Sequence, residues 1–167
     1  RVPEGPLEIL INTFGTNVVA EVTGRAERLV RVKNEDDGTE TVQRQKRSPS
    51  LVKEDVTAFM AGKKRLLVFS DKGGTGESYH ADNTKKNRQQ RIHYLLQPGW
   101  RADKAVQGLG RSHRTNQASA PEYVLTMTNI KGHKRFISTI ARRLDQLGAL
   151  TKGQRQAGSS GLIEAKD

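Results

Sequence analysis

Three side chains in this 167-residue sequence have the types and spacing to grip phosphate: Gln107, Arg111 and Arg114, within Gln107-Gly108-Leu109-Gly110-Arg111-Ser112-His113-Arg114. If that stretch is helical, they stand at i, i+4 and i+7, so one amide and two guanidinium groups share a face. A guanidinium fork matches phosphate oxygens in geometry and charge, and it stabilises developing charge without any proton transfer. Ala102, Ala105, Val106 and Leu109 form an apolar stripe at i, i+3, i+4 and i+7, which would hold the helix against a sheet and aim the arginines outward. The plain alternative is a pair of surface arginines or a structural ion pair. Two glycines flanking Leu109, a glutamine one turn earlier and the apolar opposite face argue against it.

A second stretch with binding chemistry is Ser70-Asp71-Lys72-Gly73-Gly74-Thr75-Gly76, followed by Glu77-Ser78-Tyr79-His80-Ala81-Asp82. Glycine amides can approach phosphate closely, and Thr75 or Ser78 can add a hydroxyl donor. The loop is neither a Walker A loop, since G-x-x-x-x-G-K-[ST] is absent, nor a Rossmann fingerprint, since the third glycine fails. A tight turn without a ligand would look the same in isolation. Gly76-Glu77-Ser78-Tyr79-His80 begins like a hydrolase nucleophile elbow but lacks the final glycine. The four histidines, His80, His93, His113 and His133, share no metal-ligand spacing, so no metal site is expected. His80 and His113 read as polar site members or as hydrogen-bonded structural residues. Trp100 is either a stacking surface for a base or adenine, or core and rim packing.

These residues need elements to place them. Gly5-Pro6 fits a helix start, with Leu7, Leu10, Ile11 and Phe14 at helical spacing and Gly15 as the stop. Val18–Val22 reads as a strand running into Thr23-Gly24-Arg25, and Leu29–Val32 as a second. Lys33–Arg47 is charged and reads mainly as loop, with a short extended piece near Thr39 to Val42. Ser48-Pro49 opens a second helix with Val52, Val56, Phe59 and Met60 on one face, ending by Gly62. Leu66–Phe69 has the continuous apolar character of a parallel strand covered on both faces, and it empties into the glycine-rich loop. Then follow a strand at Ile92–Leu96, a turn at Pro98-Gly99, a helix over Ala102–Arg114, a strand at Tyr123–Thr128 and a last amphipathic helix. That helix is striped by Phe136, Ile137, Ile140, Ala141, Leu144 and Leu147. The alternation predicts a mainly parallel, doubly wound α/β sheet over residues 1–150, with a fraying tail over 151–167. In such a sheet the site lies beyond the carboxyl ends of the strands, where both the glycine-rich loop and the loop before Ala102 would emerge.

The formal charge is +11, and cysteine is absent, which excludes disulfides and thiolate metal sites and suits an intracellular protein. No apolar run is long enough to span a membrane and no signal peptide opens the sequence, so a soluble protein without a membrane partner is expected. Arg1–Glu40 holds five basic and eight acidic side chains, whereas Asn83–Arg114 holds eight basic ones against Asp103 alone. The positive field of the second half favours a polyanion. Lys85, Lys86, Arg88 and Arg91 are the expected phosphate-tracking surface, and a purely solvated basic face is the bland alternative.

Q-x-x-G-R-x-x-R at Gln107–Arg114 resembles motif VI of the superfamily-two helicases, and SDKGGTGESYHAD at Ser70–Asp82 resembles their motif V. Together with Thr23-Gly24-Arg25, PGWRADKAVQGLGRSHRTNQ at Pro98–Gln117 and KGHKRFISTIARRLDQLGALTKGQRQ at Lys131–Gln156, they look like the C-terminal helicase lobe of strawberry notch proteins. Related phage and plasmid methylase-helicase polypeptides carry a similar lobe. The resemblance implies a RecA-like three-layer α/β/α fold, P-loop NTPase-like but without Walker A. It implies ATP with Mg²⁺, and nucleic acid, expected to be DNA, as the polymer. By the same resemblance Arg111 and Arg114 match the motif VI arginines, one of them a finger on the γ-phosphate, with Gln107 helping to position the site. Gly74, Thr75, Gly76 and Gly110 would lie at the nucleotide, and Ser78 and His80 at the nucleic-acid backbone. No G-K-[ST] and no D-E-x-[HD] occur in the sequence, and the strand expected before Pro3 is missing, so ATP and Mg²⁺ would be held mainly by an N-terminal lobe. The 167-residue chain alone is expected to lack ATPase activity. The alternative function is a non-catalytic interaction module in transcriptional regulation. The compartment would be cytoplasmic in a bacterial or phage protein and nuclear in a eukaryotic one.

Overall fold

The structure is a computed structural model that describes residues 4–73 and 76–146. The chain divides into two compact units, one of Arg1–Glu77 with Thr84–Asn87, the other of Ser78–Asn83 with Arg88–Asp167.

In the first unit, α1 (Pro6–Phe14) starts with proline in its first turn and stops at Gly15, whose φ of 85° suits only glycine. Strand β1 (Val19–Val22) pairs in parallel with β4 (Leu66–Phe69), Val19 opposite Leu66 and Val22 opposite Phe69. Between them come an antiparallel hairpin, β2 (Glu27–Lys33) and β3 (Glu40–Lys46), and helix α2 (Pro49–Met60). Ser48 caps α2 by accepting the Leu51 amide at 3.4 Å. Ile11, Val19 and Val30 form a core on which Leu7, Val32, Leu66 and Val68 pack.

β3 contains the short extended piece expected near Thr39 to Val42 but runs on to Lys46, where a loop was expected. Nearly every residue of β3 is exposed, so it shows no apolar alternation to read, and its existence rests on a seven-residue backbone ladder to β2. β4 differs too. Its residues are only partly buried, and among the described strands it pairs with β1 alone.

The second unit contains β5 (Ile92–Leu95), α3 (Ala102–Leu109), a 3-10 turn (Gly110–Ser112), β6 (Glu122–Leu125) and α4 (Lys131–Gln146). β5 and β6 are parallel, joined through α3 as a crossover must be. Ala105, Leu109, Ile137, Ile140 and Leu144 make the core, with Leu95, Val106, Tyr123, Leu125 and Phe136 against it. The apolar stripes expected on α3 and α4 are therefore the buried faces; Leu147 lies outside the described residues. The α/β alternation with parallel strand pairs holds. The described strands are hydrogen-bonded as three two-stranded sheets rather than one continuous sheet.

Burial within β1 is complete, and it includes the carboxylate of Glu21, 1% exposed. Arg25 and Arg28 form ion pairs with it, and the Thr23 hydroxyl donates to it at 2.6 Å. Burial pushes this carboxyl up, but the arginines and Thr23 together bring it below its ordinary value. Asp55 on α2 accepts the Glu21 amide and pairs with Arg47 and Lys64. These buried charges are compensated and tie β1, α2 and β2 together.

Candidate functional site

The arginine-bearing stretch is not one continuous helix. α3 ends at Leu109, Gly110–Ser112 forms the 3-10 turn, and His113 is already extended. Continuing the α-helix would require the His113 amide to bond Leu109 O; it bonds Gly110 O instead, at 3.2 Å. Leu109 O accepts the hydroxyls of Ser112 and Tyr123, each at 3.0 Å. Side chains thus take the carbonyl that the next turn needed, and Gly108 and Gly110 lower helix propensity at the same point. Gln107, Arg111 and Arg114 consequently do not share one helical face.

Arg114 instead folds back over the turn. Its Nη1 donates to Gly110 O at 3.0 Å and to His113 O at 3.3 Å, and its Nε donates to Ser78 Oγ at 3.0 Å. The Gln117 side chain accepts the Arg114 amide at 3.1 Å. Among the described residues, the partners of this guanidinium are a hydroxyl and two carbonyls, all neutral, so they orient the fork without cancelling its charge. That arrangement fits a phosphate group. It brings together Ser78, Gly110 and Arg114 from two separate stretches of sequence. Gln107 is exposed on α3, and Arg111 is partly buried on the 3-10 turn.

The segment carrying Ser78 is strapped to the same turn. Tyr79 N–H donates to Arg111 O at 2.7 Å, Ala118 N–H to Ala81 O at 2.7 Å and Asn83 N–H to Asn116 O at 3.2 Å, with a bridge between Asp82 and Gln117. His80 is only 6% exposed; its Nε2 lies 2.8 Å from Asn116 Oδ1, and Asn116 donates in turn to Asp82 at 3.1 Å. Of the roles open to His80, the structure shows it as a hydrogen-bonded, buried residue. Arg91, 7% exposed, points inward as well: its guanidinium donates to Tyr79 O at 2.9 Å, His80 O at 3.1 Å and Gln89 O at 2.7 Å. Burial lowers its pKa. Its place is a clamp on residues 79 and 80 rather than an exposed phosphate contact, because the charge is worth more against the buried carbonyls of Tyr79 and His80 than a solvent-facing position would make it.

Lys85, Lys86 and Arg88 are exposed, the first two in the first unit and Arg88 in the second. Gly74 and Thr75 lie outside the described residues. Gly76, with φ 83°, belongs to the first unit. The start of the glycine-rich loop is tightly placed there. A Cβ on Gly73 would lie 2.3 Å from Val22 O and 2.5 Å from Gly24 N, so the loop presses directly on Thr23-Gly24-Arg25. Ser70 Oγ donates to Thr23 O at 2.9 Å. Trp100 is wholly exposed and takes no part in either core. Among the described residues, no group of three or more His, Cys, Asp or Glu could hold a metal ion, and no helix is long and apolar enough to cross a membrane.

Three supporting residues escaped the sequence reading. Ser112 is buried on the 3-10 turn, its Oγ 2.8 Å from His93 Nδ1 on β5, and the His93 ring lies 5.9 Å from that of Tyr123 on β6. Because Ser112 donates to Leu109 O, it accepts from His93, which places the proton of a neutral imidazole on Nδ1. Burial pushes His93 down to about 4 and Tyr123 up. No spacing signal connects residues 19 apart; only adjacency to Arg111 singled out Ser112.

An α/β chain with parallel strand pairs, in which the residues after a glycine-rich loop are strapped to a G-R-x-x-R turn, is a helicase C-terminal lobe of the RecA-like class. The chain belongs to the strawberry notch family: the model of the C-terminal domain on strawberry notch homologues matches residues 5–167. It is 42% identical over 167 residues to protein FORGETTER 1 of Arabidopsis thaliana, covering 96% of this chain and 13% of that protein. It is 39% identical over 164 residues to protein strawberry notch of Drosophila melanogaster, covering 94% and 10%, and 39% identical over 166 residues to human strawberry notch homolog 1, covering 95% and 12%. The chain therefore spans only about an eighth or less of these relatives. No solved structure matches it.

Proposed function

We propose that this domain is the C-terminal lobe of an ATP-dependent DNA helicase or translocase, and that it supplies Arg111 and Arg114 to ATP held by an N-terminal lobe of the full-length protein. The observation that carries the reading is the Arg114 guanidinium, oriented among the described residues by the neutral acceptors of Ser78, Gly110 and His113. Arg114 would meet phosphate oxygens as a pre-set fork, and Arg111, on the adjoining turn, would add charge as the phosphoryl group transfers. Mg²⁺ would neutralise phosphate charge from the other lobe. Gln107, Gly76 and Gly110 remain nucleotide-side candidates, as do Gly74 and Thr75. Ser78, Lys85, Lys86 and Arg88 are candidates for the nucleic-acid backbone, which they would contact without reading sequence.

The strap between residues 78–83 and 111–118 supports a coupling of the two functions, since a shift of the backbone at Ser78 is passed by hydrogen bonds to Arg111 and Arg114. The test is ATP turnover by the full-length protein with and without DNA. DNA-stimulated turnover should fall by about 10³-fold in Arg111→Ala or Arg114→Ala, and the 167-residue chain alone should show none. DNA binding retained without turnover in the intact protein would move the assignment to a non-catalytic interaction module.

A further inference from the structure

We propose that Ser112 and His93 are positioning residues that set the alignment of Arg111 by fixing the 3-10 turn on which it sits. The proposal rests on the reading of Arg111 given above and extends it to residues that touch no substrate.

The turn has three anchors besides its own backbone. The Ser112 hydroxyl donates to Leu109 O at 3.0 Å and accepts from His93 Nδ1 at 2.8 Å, Tyr123 donates to the same Leu109 carbonyl at 3.0 Å, and Tyr79 N–H donates to Arg111 O at 2.7 Å. Leu109, at the start of the turn, is fully buried in the α3–α4 core, and Ser112, at its end, is buried too. Arg111 is therefore held between two buried residues joined by one hydroxyl. The other end of that hydroxyl's network is β5, so the strand fixes the turn without lending it a covalent link. His93 donates from Nδ1, and burial that holds its pKa near 4 keeps the ring neutral.

Removing either group need not unfold the unit, because its core is the apolar cluster of Ala105, Leu109, Ile137, Ile140 and Leu144. It would remove one of the turn's anchors, leaving those from Tyr123 and Tyr79, and so loosen the placement of Arg111. A misplacement of about 1 Å in a group aligned on a reacting centre can cost on the order of 100-fold.

The experiment uses the full-length protein at saturating DNA, with kcat and KM for ATP measured in parallel with melting temperature. Ser112→Ala and His93→Leu should each lower kcat by about 10- to 100-fold with KM changed by less than about threefold. His93→Asn, whose amide nitrogen can occupy the place of Nδ1, should recover most of the loss. Arg111→Ala is the reference. If it is inactive while Ser112→Ala and His93→Leu keep wild-type kcat, the positioning role is refuted and the arginine reading stands. If Arg111→Ala itself retains turnover, the arginine reading fails and the positioning role falls with it. A kcat loss in His93→Leu that follows the melting temperature, and that His93→Asn does not restore, also refutes the proposal by making the network merely structural.

Discussion

Placing His93 as a neutral donor to Ser112 makes stability fall with acid in a defined window. In the folded chain its pKa is pushed from 6.5 down to about 4 by burial, and in the unfolded chain it returns to the ordinary value. Below pH 6.5 the unfolded state takes up a proton that the folded state refuses, so the sign is a loss of stability as pH falls towards 4. At about 1.4 kcal/mol per unit, the full difference is about 3 kcal/mol, of which about 2 kcal/mol has gone by pH 5. The buried carboxylates Glu21 and Asp55 also have lowered pKa values, but their loss of stability comes at lower pH, below their unfolded values. His93→Asn keeps a hydrogen-bond donor and removes the titration. Urea unfolding of the 167-residue chain and of this variant at pH 7 and pH 5 should show the wild type losing about 2 kcal/mol more. The imidazole resonances of His93 should still be those of the neutral ring at pH 5. Equal pH dependence of the two chains, or an imidazole titrating near 6.5, would refute the buried-donor assignment.

Two further outcomes follow from the packing. Arg91→Ala strands two buried carbonyls, those of Tyr79 and His80, and should cost on the order of 3 kcal/mol in urea unfolding, whereas Lys86→Ala should cost less than about 0.5 kcal/mol; a near-neutral Arg91→Ala would make that residue a phosphate contact again. Gly73→Ala places a methyl 2.3 Å from Val22 O, so it should destabilise the first unit by about 1–3 kcal/mol, seen as a lower urea midpoint, and an unchanged midpoint would show that the loop does not press on β1.

What the sequence made legible is what periodicity and punctuation encode. Pro6 and Gly15 bound α1, Ser48-Pro49 starts α2, and the buried faces of α3 and α4 follow their apolar stripes. The full length of β3 was illegible beyond the piece near Thr39 to Val42, because a hairpin strand that buries almost nothing is held by backbone pairing, which any sequence can supply. The charged residues divide in the same way. Arg91 and Lys86 look alike in a sequence, and composition assigns both to the surface, but only a contact twelve residues away at Tyr79 O distinguishes a clamp from an exposed side chain. Glu21 offered no clue to its burial beyond sitting in Val19–Val22, since its compensating arginines come from the strand's own exit and from β2.

The end of α3 joins both halves of that difference. Helical spacing would have put Gln107, Arg111 and Arg114 on one face, and it fails because Ser112 and Tyr123 claim the Leu109 carbonyl. Yet the failure serves the chemistry expected of the two arginines. An uninterrupted helix would set both on one rigid face with side chains free to swing. A 3-10 turn ending in extended backbone lets Arg114 return over Gly110 and meet Ser78. The serine that breaks the helix is thus the same one that, through His93, would hold Arg111 in register, and one substitution at Ser112 tests the local geometry and its use in catalysis together.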